Sequence, residues 1–227
     1  MWVEAMANRN SNSALPASVL RRLPKYLAHI QNLRGHGKEW VSSLELAEAL
    51  GLTSSTVRQD VTHLECRGIS KRGYETEVLE KILTRVLGLD KGRNMVIVGA
   101  GNIGRALARY GDLHREGFRI CGIFDSDASL VGGEVGDLAV QAMNALPDAV
   151  RRGDVDIGVI AVPAQAAQEV AENLVGAGVR GLLNLSAAHV QVANVPVVDV
   201  RLVASLQELA FAVKVLDETG RVPHWTR

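Results

Sequence analysis

"VIVGAGNIGRALARYGDLHREGFRICGIFDSD", residues 96–127, decides the fold of most of this chain. A short continuous apolar run, preceded by "NM", has the character of a parallel strand covered on both faces. It leads into Gly99-x-Gly101-x-x-Gly104 and the helical stretch "NIGRALARY". A second strand, "FRICGIFD", follows and ends in Asp125, about 20 residues beyond the glycines. Gly99 permits a sharp turn, Gly101 lets backbone approach a pyrophosphate, and Gly104 lets helix and strand pack closely. With Ala100, Asn102 and Ile103 between them, these residues present unpaired N–H groups at a helix start to the phosphates. Asp125 is placed to accept hydrogen bonds from adenosine ribose hydroxyls and to repel a 2′-phosphate, which favours NAD(H) over its phosphorylated form. A glycine turn alone does not separate an enzyme that moves hydride from a sensor that registers cofactor state.

Alternation continues downstream. "AVQAMNALPDAVRRG" reads as strand then helix, "VDIGVIAVP" as a strand, "AQAAQEVAENLVGAG" as a helix, and "VRGLLNLS" and "VPVVDV" as strands. The pattern predicts a doubly wound parallel sheet, a Rossmann domain over residues 89–201, with ligands beyond the carboxyl ends of its strands. Val162, Pro163, Asn184 and Ser186 fall at those ends, where they could line the nicotinamide end of the pocket. The last segment, "VRLVASLQELAFAVKVLDETG", carries Leu202, Leu206, Leu209, Val213 and Leu216 on one stripe, suited to packing on a partner.

The amino-terminal third has a different character. The 227-residue chain has a formal net charge of zero, yet from Leu15 to Tyr74 Arg21, Arg22, Lys25, Arg34, Lys38, Arg58, Arg67, Lys71 and Arg72 outnumber the carboxylates. Such clustering supplies the field that attracts phosphates. Val19, Leu20, Leu23, Leu27, Ile30 and Leu33 recur at helical spacing as one buried stripe, with Pro24 ending or kinking its first turn. In "VSSLELAEALGLTSSTVRQDVTHLECRG", Ser42-x-x-Glu45 is a capping box, Gly51 can end the helix left-handed, and Thr53 or Ser54 caps a second helix. Two short helices joined by a glycine turn predict a helix-turn-helix. On its second helix Ser55, Thr56, Arg58, Gln59 and Thr62 lie where a major groove is read, since Arg can bridge guanine O6 and N7 and Gln can pair adenine N6 and N7. Lys71, Arg72 and Tyr74 flank Gly73 as the tip of a β-hairpin wing on phosphates, and a helix follows with Val78, Ile82, Leu83 and Val86 on one side. The winged domain is expected over residues 15–88.

Other chemistry is sparse. Cys66 and Cys121 are far apart, without metal or CxxC spacing. The apolar runs are too short to cross a membrane and the start lacks a secretory pattern, so the cytoplasm is expected. His189 is the one histidine near the strand ends, which keeps open an NAD-dependent oxidoreductase carrying a DNA- or protein-binding appendage. Cys66, at the end of the second recognition-type helix, is a possible redox thiol. Residues 1–14 and 217–227 are expected to be mobile.

Taken in order, "LPASVLRRLPKYL", "VSSLELAEALGLTSSTVRQD", "KRGY", "VGAGNIGRAL", "EGFRICGIFDSD", "VPAQAAQEVAENLVGAGVRGLLNLS", "VVDV" and "LQELAF" make the chain similar to the Rex family of redox-sensing transcriptional repressors, from Leu15 to Leu216. The resemblance implies a non-enzymatic, NAD(H)-binding homodimer that binds a pseudo-palindromic operator in double-stranded DNA and is released by NADH. It implies that the helix at residues 202–216 is exchanged between subunits, and that Tyr110 and Asp199 belong to the switch region. Family members often carry an arginine where this chain has Ala28, which implies that Asp199 lacks its usual partner here.

Overall fold

In the computed structural model, which describes residues 15–223, the chain divides between Asp90 and Lys91 into two compact units. The first unit contains α1 (Ala17–Leu20), α2 (Leu23–Gly35), β1 (Trp40–Val41), α3 (Ser43–Leu50), α4 (Ser54–His63), β2 (Tyr74–Glu75) and α5 (Thr76–Val86). Pro24 stands in the first turn of α2, where its missing N–H is not needed, so it starts a helix rather than kinking one. The capping box forms as spaced: Ser42 Oγ accepts from the Glu45 N–H at 3.1 Å, and a Glu45 carboxylate oxygen accepts from the Ser42 N–H at 2.9 Å. Gly51 ends α3 at φ 64°, and Thr53, not Ser54, caps α4.

A single core holds this unit together. Leu23, Tyr26, Leu27 and Ile30 of α2 meet Leu46, Val57, Val61 and Leu64 of the helix-turn-helix and Leu79 and Leu83 of α5. Burial of each large aliphatic side chain contributes about 1.5–3 kcal/mol. Three expectations are corrected here. Leu20, Val78 and Val86 are exposed, because the inward side of α5 is the Thr76, Leu79, Leu83 side and α1 sends Val19 into the core, leaving its last residue, Leu20, outward. The wing, by contrast, is the small hairpin expected: β1 pairs antiparallel with β2, Trp40 opposite Glu75, and one isolated bridge joins Ile69 to Gly73.

The second unit is a seven-stranded sheet flanked by helices. Its elements are β3 (Arg93–Val98), α6 (Asn102–Ala108), β4 (Phe118–Asp125), β5 (Glu134–Val135), β6 (Leu138–Ala142), α7 (Leu146–Gly153), β7 (Ile157–Ile160), α8 (Ala167–Ala177), β8 (Gly181–Asn184), β9 (Val197–Asp199) and α9 (Leu202–Thr219). Strand order is β5-β6-β4-β3-β7-β8-β9. All pairings are parallel except β5 with β6, so the sheet is mixed rather than wholly parallel. A two-residue edge strand leaves no periodic signal to read. The order reverses at β3, which lies between β4 and β7, and this switch point opens a crevice at the strand ends.

One sheet face is covered by α7 and α8 through Leu146, Val150, Val170 and Leu174. Leu107 of α6 packs on the other, which leaves an apolar hollow of about 330 Å³ lined by Met95, Phe118, Ile157, Leu183 and Val198 among others. The final helix runs to Thr219, three residues past the expected end, and of its side chains only Ala212 is buried. The expected mobile segments, 1–14 and 217–227, fall outside the described residues except for 217–223.

Candidate functional site

The crevice is built by the two halves of the glycine turn and the end of β7. Gly99 has φ 107°, and a Cβ there would collide with the Ala161 carbonyl oxygen and lie 3.1 Å from Val162 Cγ1. A Cβ on Gly104 would collide with the Gly99 carbonyl oxygen, so α6 packs against the turn through bare backbone. Gly101 meets nothing within 4 Å, leaving its face open to a ligand. Asp125 sits at the end of β4: one carboxylate oxygen accepts from the Ala100 N–H at 2.6 Å and the other from the Asp127 N–H at 2.9 Å. Arg105, which the sequence reading missed, donates from Nε to the Ala100 carbonyl at 2.6 Å. Ala100 is therefore wholly buried and held at both polar ends, so its N–H is not one of the unpaired donors expected at the helix start. The spacing of Arg105 one residue after Gly104 was the available signal. Asn102 and Ile103 are exposed at the helix start, and Pro163 is exposed beyond β7, next to half-buried Val162.

Asn184 and Ser186 behave differently from the expectation of pocket-lining residues. Both are buried, and their polar atoms are turned on each other and on the neighbouring loop. Asn184 Oδ1 accepts from the Ser186 N–H at 3.0 Å and its hydroxyl at 2.7 Å, while Nδ2 donates to the Ala188 carbonyl and to Asp199 Oδ1 at 2.7 Å. Asp199 is not partnerless: Arg201 approaches its other oxygen at 3.1 Å and His189 Nδ1 at 3.4 Å. Arg201 also donates to the Ser186 carbonyl at 3.1 Å. These bonds fasten the ends of β8 and β9 to the start of α9. Tyr110 is exposed at the exit of α6, and no hydrogen bond joins its side chain to Asp199.

The Asn184 amide, then Arg201, holds the Asp199 carboxyl below its usual range. A depressed folded value means that its stabilisation is present above the unfolded value of about 3.9 and is lost as pH falls through the folded value. Melting temperatures measured from pH 7 down to pH 2 are expected to fall more steeply for the unaltered chain than for Asp199→Asn once pH drops below about 4. Parallel curves would show that the network carries no such linkage.

On the other unit, Ser55, Arg58, Gln59 and Thr62 are exposed along α4, opposite buried Val57 and Val61. Thr56 is half-buried and is held with Ser55 by the capping Thr53 hydroxyl. Arg58 Nη1 reaches Ser43 Oγ at 3.2 Å, and the Thr62 hydroxyl donates to the Arg58 carbonyl. Lys71 and Arg72 are exposed at the wing tip, Lys71 with φ 65°. Tyr74 is not: it lies in the core, paired opposite Val41, and burial pushes its phenol pKa up. Val41 and Tyr74 are the inward members of their strands, so Tyr74 is removed from the candidate contact set.

A polar cluster invisible to local pattern fixes α4. Asp60, 1% exposed, accepts from Arg22 Nε at 2.6 Å and Nη2 at 2.7 Å, and from the Tyr26 hydroxyl at 2.8 Å. The Asp60 bond raises the Arg22 pKa, and burial together with Asp60 raises that of Tyr26. The Cys66 thiol is half-buried, and burial pushes its pKa up, away from the thiolate that redox chemistry requires. Among the described residues no group of three or more metal-type ligands occurs, and no helix is long and apolar enough to cross a membrane.

Fold and site together define a regulator class, in which a helix-turn-helix unit is joined to a dinucleotide-type Rossmann unit. Comparisons with known proteins agree. A family described as "Putative DNA-binding protein N-terminus" matches residues 14–61, and "CoA binding domain" matches residues 90–188. The chain is 42% identical over 195 residues to the redox-sensing transcriptional repressor Rex of Caldicellulosiruptor bescii, covering 86% of this chain and 90% of that one. It is also 42% identical over 200 residues to redox-sensing transcriptional repressor Rex 1 of Thermotoga maritima, covering 88% and 96%. Among solved structures, RSP in complex with β-NAD⁺ and operator DNA superposes with a TM-score of 0.83 at 34% identity, over 91% of this chain and 95% of that one. RSP with β-NADH gives 0.79 at 34% identity, over 91% and 97%. The chain belongs to the Rex family of redox-sensing transcriptional repressors.

Proposed function

We propose that this chain is a cytoplasmic, homodimeric repressor that binds operator DNA through α4 and the wing and is released from it by NADH. The observation that carries the reading is the pairing, in one chain, of an exposed base-reading helix face with a glycine turn open at Gly101. The proposed cofactor set is Gly99, Gly101 to Gly104, Asp125, Val162 and Pro163, with Ala100 bracing the turn and Asn184 and Ser186 shaping the loop rather than facing the ligand. Asp125 supports NAD(H) over coenzyme A as well as over the 2′-phosphorylated dinucleotide, because a carboxylate beside the ribose repels a phosphate on either hydroxyl.

For DNA, Ser55, Thr56, Arg58, Gln59 and Thr62 read the groove while Lys71 and Arg72 meet phosphate. The exposed apolar residues of α9 and the uncovered hollow of the sheet support association of two copies. Two recognition helices in a dimer then address half-sites about 34 Å apart. NAD⁺ and NADH differ in charge and pucker at the nicotinamide ring, and only different affinities for two dimer states can shift the equilibrium. Tyr110 and the Asp199 network are the proposed switch. The rival oxidoreductase needs a proton-handling group at the crevice, and exposed His189 is held to Asp199, itself bound by Asn184 and Arg201.

Binding of the full chain to a duplex selected from randomised DNA tests the reading. NADH is expected to weaken that binding about 5- to 150-fold, while NAD⁺ leaves it intact. Indifference of the complex to NADH overturns the sensor function.

A further inference from the structure

Arg72 stands at the wing tip with its guanidinium carbon 4.0 Å from the centroid of the Trp40 ring. No carboxylate forms an ion pair with Arg72 among the described residues. Its ordered neighbour is the indole. Trp40 is in β1 beside Val41, and the two differ in role. Val41 is wholly buried in the core, whereas Trp40 is half-buried and lies outside that core. The surface that Trp40 covers contributes to folding, but that alone does not set one face of its ring under the arginine.

The wing itself is tied to the same strand. Gly73 has φ 91°, and a Cβ there would collide with the Val41 carbonyl oxygen. The turn closes through the Ile69 N–H to the Gly73 carbonyl at 2.7 Å and the Gly73 N–H to the Ile69 carbonyl at 2.9 Å. Backbone at the foot of the wing is therefore fixed, while the arginine has a long side chain with much rotamer freedom when unheld. Stacking on an aromatic face removes part of that freedom. It engages the flat face of the guanidinium and leaves the N–H groups at its rim free to donate in plane. A stacked arginine is thus still able to make phosphate hydrogen bonds.

We propose that Trp40 is a positioning residue for Arg72, a platform that holds the wing guanidinium ready for the DNA backbone. This rests on the DNA-binding reading above. The role is specific to an aromatic ring at position 40 and passes entirely through Arg72.

The experiment is a double-mutant cycle on the full chain, read as affinity for a duplex that the unaltered chain selects from randomised DNA, at several salt concentrations. Trp40→Leu is expected to weaken binding about two- to fivefold, and Trp40→Phe to recover most of that. Trp40→Leu is expected to add nothing when Arg72 is already alanine, and to add fully to Gln59→Ala. Arg72→Ala is expected to lower the salt slope by about one, and Trp40→Leu to lower it by a fraction of that. A folding defect would change the active fraction and leave the slope alone, so the slope separates the two even where Trp40→Leu also lowers the melting temperature. Full additivity of Trp40→Leu with Arg72→Ala, or unchanged affinity of Trp40→Leu, overturns the positioning role alone. Failure of the unaltered chain to select any duplex overturns the DNA-binding reading and this role with it.

Discussion

Gly99→Ala is expected to abolish NADH binding and to leave a protein whose DNA complex no longer responds to the cofactor. Two separate costs converge on this position. At φ 107° an L side chain is strained by about 1–3 kcal/mol. The new Cβ also collides with the Ala161 carbonyl, a backbone atom of the strand-end segment after β7, and displacing packed structure costs a further 1–3 kcal/mol or so. The crevice can accept the methyl only by moving Gly99 away from Ala161. That movement drags Ala100, whose N–H is bonded to Asp125 and whose carbonyl is bonded to Arg105. The residues that would face the pyrophosphate and the ribose therefore shift together. The core of the first unit shares no residue with the cores of the second, so that unit is expected to stay folded. Calorimetric titration with NADH checks the first half, and a melting curve that resolves a lowered and an unchanged transition checks the second. NADH affinity within twofold of the unaltered chain would show that the turn is not the cofactor site.

Asp60→Ala is expected to destabilise the first unit by about 3 kcal/mol, lowering its melting transition by roughly 15 °C. Removing the carboxylate leaves Arg22 charged and three-quarters covered, and leaves the Tyr26 hydroxyl without its acceptor. Leaving such groups unsatisfied costs far more than the pair contributed while intact. Exchanging both ions for apolar residues, as in Asp60→Leu with Arg22→Met, is expected to recover much of the loss, because the desolvation of two charges disappears with them. Thermal unfolding of the single and double variants distinguishes these outcomes. A single variant as stable as the unaltered chain would mean that packing of Val57 and Val61 alone positions α4.

These two residues differ in how visible they are along the chain. Gly99 belongs to a local pattern in which strand, glycines, helix, strand and terminal Asp125 follow within about thirty residues. The same holds for Ser42 with Glu45, and for Gly51: a capping box and a left-handed helix end concern neighbours three or four residues apart. Asp60, by contrast, meets Arg22 across 38 positions, and Asn184 meets Asp199 across 15. Tyr74 sits beside Lys71, Arg72 and Gly73, a composition suited to a phosphate-facing wing, yet β-strand alternation sends its ring inward opposite Val41. The edge strand β5 is two residues long, too short for any period to register.

By itself, the order of residues determined the succession of helices and strands, the glycine turn with its acidic strand end, and the helix-turn-helix, because each depends on contacts within a few turns of chain. Only the tertiary structure decided which polar side chains face solvent and ligand and which face inward. Asp60 and Asn184 are committed to the interior by polar partners brought from distant segments, Ser186 follows through its bond to Asn184, and Tyr74 turns inward because its strand pairs opposite Val41. Arg72 is the converse case: its charge is plain in the sequence, but the ring beneath it is supplied 32 positions earlier by a strand that folding lays alongside the wing.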